Sequence, residues 1–296
     1  MSAHPMNTHR TVVVGVDGSE DSLRAVRWGA DEAARRSVPL RLVHAFDRTA
    51  EHVVGLPALG EQDRDILLEQ ARRLLTEAAA VAETAFPGLE VQAQLVVGYP
   101  IPVLADESGR AQLVVLGSAG RGRFLELLAG SVASGLAAHG RCPVVVVRGA
   151  EKDRSAPVVV GIDGTPASEA AIAFAFETAS VRHAPLVAVH AWQTPLVGTV
   201  PPDPAVVTAA EGVAHEILAE RLAGWTEKYP DVHVRRAVVD DRPAPLLVRE
   251  ARGAQLLVVG SRAHGRLAGA FLGSVGHALV HRAPCPVAVV RPESGA

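Results

Sequence analysis

The chain has 296 residues, of which 48% are apolar and only 4% aromatic, so valine, alanine and leucine must build its core. This length suits two ordinary domains. The 29 basic and 32 acidic residues nearly balance and form no lysine or arginine run, which argues against a dedicated nucleic-acid-binding or membrane-surface protein.

The two cysteines, Cys142 and Cys285, are too few for a disulfide framework or a four-cysteine zinc site. We expect both to be buried small side chains rather than reactive thiols. The N-terminus lacks the apolar stretch of a signal peptide, and no window approaches about eighteen consecutive apolar residues. We therefore expect a soluble, reduced, cytoplasmic protein without a membrane span.

Strand and helix patterns alternate along the first half of the chain. A β-branched run at 11–17 predicts a strand that ends at Asp17, and Ser19 can cap the helix that follows. Further strands are predicted at 39–46, 90–97, 112–117 and 143–148, with helices at 62–85, 101–109 and 131–139. Uniformly apolar strands separated by helices are typical of a parallel sheet covered on both faces.

The second half of the chain repeats the first. VVVGVDG at 12–18 returns as VVVGIDG at 158–164, and QLVVLGS at 112–118 returns as QLLVVGS at 255–261. The first pair is offset by 146 residues and the second by 143. A polar seam falls near 149–156. We predict two tandem α/β domains, 1–149 and 156–296, each a five-stranded parallel sheet of order 3-2-1-4-5 flanked by helices.

Three glycines and a serine form a motif of long spacing. The fourth predicted strand runs into Gly117, and Gly120, Gly130 and Ser131 complete the pattern G-x2-G-x9-G-S. Glycines let backbone N–H groups approach an anion, and a helix start adds free donors and a positive dipole end. Alone, the motif fits a glycine-rich turn with a serine cap equally well. If strands one and four are neighbours in the sheet, a crevice lies between their carboxyl ends, and Asp17 would flank it together with the glycine motif. The presence of both features at one crevice favours phosphate binding.

The chain resembles the universal stress protein family in its tandem two-domain form, over essentially its whole length. The resemblance rests on the glycine motif, on an aspartate after the first strand of each copy, and on a histidine followed by alanine in the second strand. These residues are Asp17 and Asp163, His44-Ala45 and His190-Ala191. The resemblance implies Rossmann-like domains of the adenine nucleotide α-hydrolase type and places the chain in the ATP-binding subfamily.

The resemblance also implies an adenine-nucleotide site in each copy, holding ATP with or without Mg2+. Asp17 would lie on the base or ribose side, the Ala45 backbone would pair with adenine, and Ser131 would hold phosphates. In the first copy the implied contacts are Gly15, Asp17, Ala45, Gly98, Gly117, Gly120, Arg121, Gly122, Gly130, Ser131 and Val132. In the second they are Gly161, Asp163, Ala191, Asp241, Gly260, Ala263, Gly265, Gly273, Ser274 and Val275. No catalytic residue or metal ligand is assigned.

The second copy departs from the motif, because Ala263 stands where the family has glycine. A left-handed conformation there would cost roughly 1 kcal/mol or more, although Gly265 could take up part of the turn. We therefore expect the second site to be the weaker one.

Several other residues have ordinary structural interpretations. We expect His44 and His190 to be hydrogen-bonded structural residues, because no second ligand stands at metal spacing. Arg121 and Arg123 lie in the glycine loop, where solvent and phosphate are equally good partners. The proline-rich segment 193–204 either covers the site or is a tolerant surface loop.

Signatures of other nucleotide enzymes and of hydrolases are absent. The only lysines, Lys152 and Lys228, lie outside the glycine loop, so there is no P-loop. There is likewise no G-x-G-x-x-G after the first strand, and no H-E-x-x-H, C-x-x-C or G-x-S-x-G. We predict a nucleotide-dependent regulator of stress or growth state, read by unidentified protein partners, with weak ATP hydrolysis at most. One alternative is an enzyme that cleaves ATP at the α-phosphate, because segment 17–22 faintly resembles the loop of ATP pyrophosphatases. The other alternative is a scaffold that binds no nucleotide.

The last predicted strand of each copy presents an apolar, β-branched edge. These strands, at 144–147 and 287–290, carry no lysine, glutamate or central proline. In the order 3-2-1-4-5 they lie at the rim of the sheet, where unpaired backbone groups invite aggregation. The two strands would pair antiparallel, either within one chain or between two chains. We expect pairing within the chain, because a tether raises the effective concentration to about the millimolar range. The family resemblance agrees, since single-domain relatives dimerise through this strand, and a further homodimer is expected.

Replacing both Val145 and Val147 by lysine tests this pairing. The charges should disrupt the strand and leave its partner edge uncovered. We expect aggregation or separation of the copies, measured by size-exclusion chromatography with light scattering and by thermal melting. Wild-type solubility, compactness and melting temperature in the double variant would contradict the pairing.

Overall fold

In the computed structural model the chain divides into two units, Met1–Val147 and Arg148–Ala296. The residues that the structure describes are 11–47, 61–118, 130–149, 153–165, 168–194, 203–261 and 272–292. Each unit alternates strands and helices. The domain boundaries predicted at residues 149 and 156 stay a prediction.

The first unit contains five strands and four helices within its described residues. Its elements are β1 (Thr11–Gly15), α1 (Glu20–Arg36), β2 (Leu40–Phe46), α2 (Glu61–Ala85), β3 (Val91–Val97), α3 (Pro100–Ser108), β4 (Ala111–Gly117), α4 (Ser131–His139) and β5 (Val144–Val147). The sheet has the order β3-β2-β1-β4-β5, and every pairing between these neighbours is parallel.

The second unit repeats this series within its described residues. Its elements are β6 (Val158–Gly161), α5 (Glu169–Arg182), β7 (Leu186–Trp192), α6 (Pro204–Lys228), β8 (Val234–Asp240), α7 (Pro243–Glu250), β9 (Leu256–Gly260), α8 (Ser274–Arg282) and β10 (Val287–Val290). Its parallel order is β8-β7-β6-β9-β10. The predicted α/β fold and strand order are thus confirmed in both units. The predicted pairing of the last strands stays a prediction.

The central strands are covered on both faces. Val12, Val13 and Val14 follow one another in β1, and none is more than 1% exposed. Because alternate side chains of a strand point to opposite faces, three successive buried valines require cover on both sides. Burying each such side chain contributes about 1.5–3 kcal/mol.

The first helix carries the N-terminal cap that its sequence predicts. The Ser19 side chain caps α1 by accepting a hydrogen bond from the Ser22 N–H at 3.1 Å. Glu20 and Asp21 lie in the first turn, and basic residues lie in the last, so both ends complement the helix dipole. Ser37 ends the helix in the left-handed conformation, with a φ of 53°.

The helices α2 and α6 are the longest described, at 25 residues each. Within the residues that the structure describes, no helix combines the length and the apolar character needed to cross a membrane.

The seam residues at 153–156 are attached to the second unit. The side-chain amide of Gln255 donates hydrogen bonds to the carbonyl oxygens of Arg154 at 3.1 Å and Ala156 at 2.5 Å. The buried Arg182 guanidinium donates to the Gln255 side-chain oxygen at 2.9 Å and so orients that amide. This part of the predicted linker is therefore an ordered extension of the second unit.

Both cysteines are buried free thiols. Burial raises the pKa of the Cys142 thiol to about 12, and Cys285 is 0% exposed. The structure therefore agrees with the prediction that both cysteines are small, buried core side chains.

The burial of Cys142 predicts slow thiol chemistry in the native protein. Only the thiolate is nucleophilic, so a pKa near 12 lowers the reactive fraction at pH 8 by roughly a thousandfold against a free cysteine. Ellman's reagent should detect both thiols only after denaturation. A Val97→Cys variant, at a position that is 54% exposed, should react rapidly and serves as the control. Rapid reaction of the native wild type would contradict this assignment.

Candidate functional site

A crevice opens at the carboxyl ends of β1 and β4, which are parallel neighbours although they are distant in sequence. Val14 pairs with Val115 in this part of the sheet. The crevice holds a cavity of about 350 Å3, a volume within the usual range for small-molecule sites. We call it the first crevice; it is lined by Gly15, Val16, Asp17, Ser22, Val43, His44, Ala45, Pro100, Leu104, Leu116, Gly117, Gly130, Ser131, Val132 and Ala133.

Most of the described residues predicted for the first site lie on this wall. They are Gly15, Asp17, Ala45, Gly117, Gly130, Ser131 and Val132. Gly98 is not among the lining residues; it follows β3 with a φ of 151°, and a Cβ there would lie 2.9 Å from Val103. Gly120, Arg121 and Gly122 lie outside the described residues, as does Arg123.

The second unit has a corresponding crevice of about 400 Å3. We call it the second crevice, and its predicted lining residues are Gly161, Asp163, Ala191, Gly260, Gly273, Ser274 and Val275. Asp241 is not on its wall. The Asp241 carboxylate accepts hydrogen bonds from the Arg242 N–H and the Arg249 guanidinium, and these lower its pKa. Ala263 and Gly265 lie outside the described residues.

Asp17 lies two residues beyond β1, since the strand predicted to end at this aspartate ends at Gly15. The chain turns here because Gly18 adopts a φ of 78°, which glycine tolerates best. The Asp17 Oδ1 atom accepts a hydrogen bond from the Ser19 N–H at 2.9 Å. This is a turn of the Asp-Gly type, and it points the chain from the strand into α1.

His44 supports the same turn from the neighbouring strand. Its Nδ1 atom lies 2.7 Å from the carbonyl oxygen of Val16. Because a carbonyl oxygen can only accept, Nδ1 must carry the proton. His190 makes the matching bond to Ile162 at 2.8 Å. These contacts agree with the structural roles predicted for both histidines.

The two crevice aspartates differ in how far their hydrogen-bonding capacity is used. Asp163 Oδ1 accepts hydrogen bonds from the Thr165 N–H at 2.9 Å, the Thr165 hydroxyl at 2.7 Å and the Ser168 hydroxyl at 2.5 Å. Among the described residues Asp17 accepts only the Ser19 N–H. The carboxylate of the first crevice therefore retains acceptor capacity that the second has committed to its own turn.

The end of β2 presents free main-chain groups to the first crevice. The Val16 N–H bonds to the Val43 carbonyl at 2.9 Å, so the peptide groups of Val43 face β1. Alternate residues of a strand face the same neighbour, and Ala45 therefore also faces β1. Since β1 ends at Gly15, the Ala45 N–H and C=O face the crevice. Ala191 has the same relation to β6.

The N-terminus of α4 also lines the first crevice. Gly130 is the N-cap and, having no side chain, makes no side-chain capping hydrogen bond. The prediction that Ser131 could act as the cap is therefore wrong, because Ser131 is already the first helical residue. The first N–H groups of a helix have no hydrogen-bond acceptor within that helix, and they form the positive end of the helix dipole. The second crevice repeats this arrangement with Gly273 and Ser274.

Apolar and small side chains that the sequence reasoning missed complete both walls. Comparison of the two copies could have found them, because the same residue recurs at the repeat offset. The pairs are Ser22 and Ser168, Pro100 and Pro243, and Leu104 and Leu247. In the described residues, no group of three or more histidines, cysteines and carboxylates could hold a metal ion.

The wall of the first crevice thus combines the Asp17 acceptor with the N–H donors of a helix N-terminus. A fitting ligand carries both hydroxyl or amine donors and an anionic group. Of the segment 193–204, residues 195–202 lie outside the described residues, and its role in covering the site stays a prediction.

Comparison with known proteins gives the same family for both units. The Universal stress protein family model matches residues 8–148 and 155–291. Universal stress protein Rv2005c of Mycobacterium tuberculosis is 43% identical over 290 residues, covering 95% of this chain and 96% of that protein. Universal stress protein Rv2623 of the same organism is 40% identical over 297 residues, covering 96% and 97%.

A solved structure shares the fold along the whole chain. The crystal structure of a universal stress protein from Archaeoglobus fulgidus aligns with a TM-score of 0.68 and 19% identity, covering 97% of this chain and 98% of its own. The chain belongs to the universal stress protein family and carries two copies of the family domain in tandem.

Proposed function

We propose that the chain binds ATP in the first crevice, and more weakly in the second, and acts as a nucleotide-dependent regulator. One observation carries this proposal. One cavity is lined both by Asp17 and by Gly130 and Ser131 at the N-terminus of α4. A carboxylate acceptor and helix N–H donors in one cavity match a molecule that carries both hydroxyl groups and phosphates.

Each chemical part of ATP has a complementary group in the first crevice. The Asp17 carboxylate is an acceptor for ribose hydroxyls, and its negative charge disfavours phosphates beside it. The N–H and C=O groups of Ala45 match the acceptor and donor on an adenine edge. The N-terminus of α4 carries about half a positive elementary charge and would hold the phosphates, with or without Mg2+.

The regulatory output would be a change of surface on nucleotide binding. The phosphates would lie where α4 begins, and the glycine motif leads directly into that helix. Family membership supports a role in stress or growth state, exerted in the cytoplasm through protein partners. The alternatives are an enzyme that cleaves ATP at its α-phosphate and a scaffold that binds no nucleotide.

Analysis of the nucleotide released from freshly purified, denatured protein separates these three functions. Bound ATP, with affinity for added ATP in calorimetry, would support the regulator. AMP and pyrophosphate appearing on incubation with ATP would support the enzyme. The absence of both bound nucleotide and calorimetric binding would overturn the proposal in favour of the scaffold.

Removal of the Asp17 side chain should weaken ATP binding. One charge-assisted hydrogen bond is worth about 1.5–3 kcal/mol, so Asp17→Ala should lower the affinity roughly tenfold or more. Gly120→Val should have a similar effect, because the glycine motif would lose its close backbone approach. Asp17→Asn keeps an acceptor for the Ser19 N–H and separates ligand binding from the turn.

The matched control is Asp106→Ala, since the Asp106 side chain is 81% exposed. Isothermal titration calorimetry on variants with wild-type circular dichroism would give the affinities. Unchanged affinity in well-folded Asp17→Ala and Gly120→Val would exclude this crevice as the ATP site.

The two crevices should bind ATP unequally. Ala263 replaces a motif glycine, and the Asp163 oxygen is already occupied by hydroxyl and N–H donors from its own turn. Two-site calorimetry should resolve a tighter and a weaker site. Ala263→Gly should strengthen the weaker one, whereas Ala263→Ser, which retains a Cβ atom, should not. Two equal sites, or a tighter second crevice, would refute this prediction.

A further inference from the structure

The carboxylate of Asp21 connects α1 to the end of β4. The Ser118 hydroxyl donates a hydrogen bond to Asp21 Oδ2 at 2.6 Å. The other carboxylate oxygen, Oδ1, accepts a hydrogen bond from the Arg24 guanidinium. The Asp21 side chain is only 15% exposed, so solvent competes weakly for this charge-assisted contact. Asp21 is not among the residues that line the first crevice.

Ser118 in turn holds the start of α4. It directly follows Gly117, and its carbonyl oxygen accepts a hydrogen bond from the Gly130 N–H at 2.7 Å. Gly130 is the N-cap of α4 and lines the first crevice. The carboxylate of Asp21 is therefore linked, through the hydroxyl and the carbonyl group of Ser118, to the start of α4 on the crevice wall.

Close packing of the backbone makes this link stiff. A Cβ atom on Gly117 would lie 2.6 Å from the carbonyl carbon of Asp21 and 2.8 Å from its oxygen. Only a residue without a side chain permits this approach between β4 and α1. Gly117 therefore has a packing role beside its position on the crevice wall.

The second unit repeats the link only in part. The Gly273 N–H donates to the Ser261 carbonyl oxygen at 3.1 Å, as in the first unit. The Ser261 hydroxyl, however, is buried and has no hydrogen-bond partner among the described residues. At the repeat offset of 146 residues, Asp21 corresponds to Ala167 in the sequence. The two units thus provide a natural comparison of one site with the carboxylate and one without it.

We propose that Asp21 is a positioning residue for phosphate binding in the first crevice. By holding Ser118, it fixes the turn in which the Gly130 N–H donates to the Ser118 carbonyl oxygen, and hence the N–H donors at the start of α4. This inference rests on the proposed function, and it adds a selectivity for the anionic end of the ligand. The Asp21 link should strengthen binding of ATP but not of adenosine, which lacks phosphates.

Photolabelling with 8-azido-ATP and 8-azidoadenosine tests this selectivity, because mapping the labelled peptides reports each crevice separately. Asp21→Ala and Ser118→Ala should each weaken 8-azido-ATP labelling of the first crevice by roughly tenfold, the loss of one charge-assisted hydrogen bond. The labelling curve for 8-azidoadenosine should shift less than about twofold, within the scatter of independent sites. Asp21→Asn retains an acceptor for Ser118 and should restore part of the affinity.

The matched control is Ser261→Ala in the second crevice. Since the Ser261 hydroxyl has no described partner, its removal should leave labelling of that crevice unchanged. The double variant Asp21→Ala/Ser118→Ala should bind no more weakly than either single variant, because both remove the same contact. Equal losses for 8-azido-ATP and 8-azidoadenosine, or additive losses in the double variant, would overturn the positioning role.

Hydrogen exchange in the ligand-free protein tests the link from Asp21 through Ser118 to Gly130 independently of nucleotide binding. The Gly130 amide should exchange faster in Asp21→Ala and in Ser118→Ala than in the wild type, while the Gly273 amide is unchanged in Ser261→Ala. Unchanged Gly130 exchange would overturn the inference even if ATP binds. Failure of the wild type to bind either probe, together with faster Gly130 exchange, would instead overturn the proposed function and retain the structural link.

Discussion

The parallel pairing of β1 with β4 is the constraint on which the rest of each unit depends. The two strands are neighbours in the sheet but not in the chain, so the connections that leave them diverge. The helix α1 packs with α2, and α3 packs with α4. The carboxyl edge between β1 and β4 is consequently left open. Asp17, Ala45 and the start of α4 all line this edge. Asp17 follows β1, Ala45 lies near the end of β2, and the start of α4 is hydrogen-bonded to Ser118, which follows β4.

Much of this arrangement could be predicted from the sequence because it depends on local patterns and their repetition. Three successive valines in β1 predict a strand covered on both faces, and the structure buries all three. The duplication supplies an internal check, since an element predicted in one copy must recur in the other. The glycine spacing correctly predicted that a helix starts at Gly130 and Ser131. The N-cap, however, is Gly130 and not Ser131.

The remaining features depend on side chains that meet only in the folded chain. Ser118 and Asp21 are 97 residues apart in sequence, and their contact requires both backbone approach and the right rotamers. Likewise Ser168 occupies the position of Ser22, and each hydroxyl lies within hydrogen-bond distance of the carbonyl oxygen three residues earlier. The Ser168 hydroxyl in addition lies 2.5 Å from the Asp163 carboxylate. Identical residues in the two copies therefore make different contacts, which no repeat comparison could show.

The hydrogen bond from His44 to Val16 does not depend on the charge state of the imidazole. The Nδ1 atom carries its proton both in the tautomer that makes this bond and in the imidazolium, since protonation adds a hydrogen at Nε2. The donor toward the Val16 carbonyl is therefore present in either charge state. The turn that carries Asp17 therefore keeps this hydrogen bond from β2 whichever charge state the imidazole adopts.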